Sequence, residues 1–84
     1  MQAEIQPKLW IRQYWENPEN QRYYCASVEQ DIFGQWVLLC TWGGQTRASG
    51  RYKGVLLDDR DAGLRLLEQV AAQRQRRHYQ PVVH

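Results

Sequence analysis

The stretch Trp36-Val37-Leu38-Leu39-Cys40-Thr41-Trp42 decides the fold. Trp36, Leu38, Cys40 and Trp42 alternate with Val37, Leu39 and Thr41, so the period is that of a strand, and both of its faces are largely apolar. Such a strand belongs in the interior of a sheet, with a neighbour on each side. Immediately before it, Gln30 to Gln35 turns the chain, with Gly34 able to take a positive φ. A second, half-buried strand begins near Arg22: Tyr24, Ala26 and Val28 face one way, Cys25, Ser27 and Glu29 the other. Pairing that sets Cys25 opposite Cys40, and pairing that sets Cys25 opposite Leu39, suit these two strands equally.

Further upstream, Glu16-Asn17-Pro18-Glu19-Asn20 is a loop, because Pro18 cannot donate to a ladder and its neighbours are turn formers. Leu9 to Trp15 is a first strand, with Leu9, Ile11, Gln13 and Trp15 on one side and Trp10, Arg12 and Tyr14 on the other. Downstream of the opening stretch, Gly43 to Gly50 is a polar, glycine-containing loop, and Arg51 to Leu57 a fourth strand weakened by Gly54. Asp58 then caps a helix with Asp61 at its third position, where the helix dipole favours acidic groups. That helix runs to about Arg77 on an apolar stripe of Leu64, Leu67, Val70 and Ala71, with Leu66 at the margin. Pro81 and the tail to His84 end the fold. The expectation is an α+β domain with about four strands and one C-terminal helix.

A chain of 84 residues has room for one core, so a single domain over 1–84 is expected. With 43% hydrophobic and 12% aromatic residues it is too apolar to stay disordered. The net charge of +2 makes no case for a polyanion by itself, but the charge is unevenly spread. Residues 1–41 hold three basic groups against five acidic ones, a balance of −2, and residues 42–84 hold eight against four, a balance of +4. Cys25 and Cys40 lack any metal-ligand or redox spacing, and neither a secretory leader nor a membrane-spanning run is present, so a cytoplasmic chain without a membrane partner is expected.

Within this framework the run Gln21-Arg22-Tyr23-Tyr24 through Phe33-Gly34-Gln35-Trp36-Val37-Leu38 looks like the first half of a WGR domain, in which an aromatic pair opens a strand and an "FG-x-W" turn follows. Trp42-Gly43 stands where the Trp-Gly-Arg signature of that family stands. A glycine-containing loop, another strand and an Asp-capped helix ending in Arg74, Arg76, Arg77, His78 and Tyr79 complete the pattern over roughly residues 8–80. The resemblance implies an antiparallel sheet with a helix packed on one face. It also implies a stand-alone bacterial protein related to the WGR domain of poly(ADP-ribose) polymerases, which takes part in DNA binding. The chain departs from the signature at Gly44, where the family has arginine, so the guanidinium that would meet phosphate is missing.

The candidate nucleic-acid contacts are Trp42, Gly43 and Gly44, with Arg47, Arg51 and Lys53 after them, Arg12 from the first strand, and Arg76 and Arg77 at the helix end. Rings stack on bases, and cations meet phosphates without reading sequence. Weak, largely sequence-independent binding of DNA or RNA is the expected function. The rival expectation is a protein-interaction or homodimer module using exposed rings such as Trp10, Tyr14 or Tyr23, or a free sheet edge. No enzyme, metal site or cofactor is expected: the cysteines lie mid-strand, the histidines lie at the chain end, and Asp58, Asp59 and Asp61 are accounted for by a helix start.

Overall fold

A computed structural model describes residues 8–44 and 50–83. It is an α+β structure in which β1 (Lys8–Glu16), β2 (Tyr23–Gln30), β3 (Trp36–Gly43), β4 (Arg51–Leu57) and β5 (Gln80–Val82) form one sheet in the order β4-β3-β2-β1-β5. Every pairing is antiparallel. The helix α1 (Arg60–Arg76) packs across β2, β3 and β4 on one face. Among the described residues the sheet therefore has five strands, where about four were expected. The extra one is the supposed tail: Gln80, Pro81 and Val82 pair with Glu16, Trp15 and Tyr14. Three residues are too few to show a period, and Pro81 is tolerated because β5 lies at the edge.

The β2–β3 register matches neither pairing weighed from the sequence. Cys40 lies opposite Ala26 and Cys25 opposite Thr41, with Gln30 and Trp36 closing the hairpin. Directly paired residues share a face, so this register puts Tyr24, Ala26 and Val28 on the same side as Trp36, Leu38, Cys40 and Trp42. The turn sets the slip. The Asp31 carboxylate accepts from the Phe33 and Gln35 amides at 2.9 and 2.8 Å, and Gly34 takes φ 82 as expected. β3 is flanked on both sides, but the middle of the sheet belongs to β2.

β1 also departs from simple alternation. A register shift between Leu9 and Ile11 carries Trp10 to the helix side, where its ring meets Trp36 at 6.3 Å and the Arg60 guanidinium lies 4.6 Å from its centroid. A bulge of this kind puts consecutive side chains on one face, which strict alternation cannot anticipate.

The helix cap is Asp59, not Asp58: its carboxylate accepts from the Ala62 amide at 2.7 Å. The buried stripe also differs from the expected one. Gly63 and Leu67 are buried, Leu66, Val70 and Ala71 pack against the core, and Leu64 moves to the margin. Gly63 allows the helix to come this close, since a Cβ there would lie 2.8 Å from Val28 Cγ1 and 2.9 Å from Leu57 Cδ1. Val28 is fully buried and branched, so it has nowhere to move. Gly63→Ala is expected to destabilise the fold by roughly 1–3 kcal/mol in urea unfolding, despite alanine's better helix propensity. An unchanged or raised midpoint would show that the helix can retreat from the sheet.

The last helical turn positions the site. His78 takes the left-handed conformation at φ 68; its N–H donates to Gln75 O at 3.1 Å and that of Tyr79 to Arg74 O at 2.9 Å, a Schellman arrangement. The chain reverses there, Tyr79 folds back beside Arg74, and β5 is delivered to the β1 edge. The buried Asn17 side chain donates to Arg77 O at 3.1 Å, fastening the β1–β2 loop to the helix end.

Candidate nucleic-acid interface

Because α1 returns antiparallel to β4, its C-terminus lies over the sheet end that holds Tyr24, Trp42 and Arg51. Three rings form a continuous apolar floor at that end. Trp42 stacks on Tyr24 at 5.8 Å and 13°, and Tyr24 meets the buried Trp15 edge-on at 6.0 Å. Trp42 is half-buried, so one part of the indole closes the core and another stays accessible.

Above this floor lies the Arg74 guanidinium, 4.2 Å from the Tyr24 centroid and 5.0 Å from that of Tyr79. Its Nε is buried and meets no acceptor among the described residues. Burial and the neighbouring Cys40 push the Tyr24 hydroxyl up from its ordinary pKa, against the opposing pull of Arg74, so the phenol stays neutral under its cation.

Two adjoining depressions open here and share Arg22, Trp42 and Tyr79. Lys53, Arg74 and Arg77 line one, and Gly43, Gly44 and Arg51 the other. No aspartate or glutamate is among the described residues that line either. Cations at several heights around a stacked floor, with no carboxylate between them, suit a chain of phosphates carrying planar bases.

The structure gathers Trp42, Gly43, Gly44, Arg51, Lys53 and Arg77 of the expected contacts at this end. Arg47 lies outside the described residues. Arg76 is exposed and faces away, because two helical positions from Arg74 is over half a turn. Arg12 is on the wrong side of the sheet. It pairs with Ser27 on the open face and lines a depression there with Glu16 and Glu29, which offset its charge. That face also carries the stacked pair Tyr14 and Tyr23, 6.0 Å apart, and Cys25. Burial raises the pKa of the Cys25 thiol more than Arg12 lowers it, so it is not an activated nucleophile.

Sequence reasoning missed Arg22, Tyr24, Arg74 and Tyr79 as parts of the cleft. Arg22 reaches Trp42 only through the β2–β3 register, and Arg74 and Tyr79 meet only through the reversal at His78.

The two glycines of the signature region differ. A Cβ at Gly43 would lie 3.1 Å from Gly50 Cα and 3.2 Å from Tyr23 Cε1, so Gly43 closes the neck of the β3–β4 connection. A Cβ at Gly44 meets nothing within 4 Å among the described residues.

No protein family, curated protein or solved structure matches the chain in comparison. Among the described residues no group of three His, Cys, Asp or Glu could hold a metal ion, and no helix is long and apolar enough to cross a membrane.

Proposed function

We propose that the chain is a WGR-like domain that binds DNA or RNA, weakly and with little sequence preference, through the cleft at the Trp42 end. The observation that carries this reading is the joining of Arg22, Arg51, Lys53, Arg74 and Arg77 with the Tyr24, Trp42 and Tyr79 rings around depressions without a carboxylate. The ordered resemblance to WGR domains supports it, with Arg22 and Arg51 beside Gly44 in place of the absent signature arginine. The cleft binds and does not catalyse, and it works without cofactor. The proposal places the chain in the bacterial cytoplasm, where its free thiols stay reduced.

Fluorescence anisotropy with labelled duplex and single-stranded oligonucleotides tests the reading. Affinity is expected to fall steeply with salt, with a slope of about −3 to −4 in log K against log[salt] on duplex for four or so phosphate contacts. No binding at about 50 mM salt, or binding that ignores salt, overturns it.

Restoring the signature gives a gain-of-function prediction. Because no described residue crowds Gly44 and its backbone lies outside the left-handed region, Gly44→Arg is expected to fold normally. It should bind roughly three- to tenfold more tightly at low salt, with a slope steeper by about 0.9 on duplex. Unchanged affinity would place Gly44 away from the nucleic acid.

A further inference from the structure

β4 pairs with β3 on one side and with no strand on the other among the described residues. The two edges of the sheet are guarded differently. β5 has three residues and carries Pro81, which has no N–H to donate, so it is a poor template for another strand. β4 has seven residues, no proline and an unbroken register with β3 from Arg51 to Leu57, so its outward N–H and C=O groups form a regular row. On its open face Tyr52 is 78% and Leu56 69% exposed. Gly54 between them carries no side chain, which lets another backbone approach closely.

We propose that this edge is a dimerisation surface: a second copy of the chain adds its own β4 antiparallel, centred on Gly54, to continue the sheet. Side-chain pairing selects that register. Centred on Gly54, Tyr52 of each copy lies opposite Leu56 of the other, Lys53 opposite Val55, and Arg51 opposite Leu57. Centring on Lys53 would oppose two ammonium groups, and centring on Val55 would leave Tyr52 against Asp58 and Leu56 against Gly54. The two-fold axis then stands perpendicular to the sheet, which keeps both helices on one face. The two Trp42 clefts fall at opposite ends of the β4 pair, so Arg22, Arg74 and Arg77 of each copy stay uncovered.

Sedimentation velocity of the nucleic-acid-free chain over a concentration series tests the surface. A monomer–dimer equilibrium is expected, and a strict monomer up to about 1 mM overturns the proposal. The double variant Tyr52→Lys, Leu56→Lys alters two exposed side chains, keeps its circular dichroism, and sets lysine opposite lysine. Its dimer dissociation constant is expected to rise about tenfold or more. Undiminished dimerisation in that folded variant sinks the surface. Cross-linking reads the register independently. In a Cys25→Ser background, an oxidised mixture of Tyr52→Cys and Leu56→Cys chains should give a disulfide-linked pair far more readily than either chain alone. Equal cross-linking in the unmixed samples overturns the pairing centred on Gly54.

Discussion

The variant carrying Arg22→Gln, Arg51→Gln, Lys53→Gln and Arg77→Gln is expected to lose about 100-fold or more of the affinity for duplex DNA at ~50 mM salt. Its salt slope should shrink in magnitude by roughly 3.6, because each of the four phosphate contacts contributes about 0.9. The four residues come from the β1–β2 loop, β4 and the helix end, and all four are exposed, so their removal should leave the fold intact. The matched control is Arg12→Gln, a cation of the opposite sheet face whose neighbours include Glu16 and Glu29. Competition binding at several salt concentrations separates the cases. If the quadruple variant binds like the parent, or if Arg12→Gln weakens binding as much as the four together, the cleft is not the contact surface.

Trp15→Ala is expected to cost about 3–5 kcal/mol of stability, out of a total of order 4–13 kcal/mol for a chain of 84 residues. Trp15 is 2% exposed and lies between Tyr24 of β2 and Pro81 of β5, so its loss opens a cavity beneath both neighbours. The site suffers as well. Trp15 braces Tyr24 edge-on at 6.0 Å, and Tyr24 carries Trp42 on one side and the Arg74 guanidinium on its ring. Urea unfolding followed by circular dichroism should show the midpoint collapse, with Trp15→Phe recovering part of the loss. A loss under about 1 kcal/mol would mean that β5 and the helix end close over the gap.

These expectations rest on features that differ in how openly the residues display them. The strands around Trp36–Trp42 and Tyr24–Val28 show in the alternation of their side chains, and β4 was legible at its observed limits, Arg51–Leu57. The helix was legible too, but its cap was off by one, because Asp58 and Asp59 have the same chemistry and only backbone direction separates them. Trp10 escaped the alternation because a bulge reverses it. Four of the five cations, Arg51, Lys53, Arg74 and Arg77, belong to the excess of basic residues after Thr41. Arg22 does not, since it comes from the acidic half of the chain and is brought across by hairpin pairing.

The sequence by itself determined the α+β class, the interior character of the Trp36–Trp42 strand, the turn at Gly34 and the basic end of the helix. Each of these follows from short-range chemistry: side-chain period, a glycine's backbone freedom, or a dipole acting within one turn. Tertiary structure decided which face each cation occupies. The slip of one hairpin, a bulge at Trp10 and a left-handed residue at His78 turned separated arginines and rings into one cleft. A change of one residue in register moves a whole strand's side chains from one face to the other, so no local pattern could have assigned them.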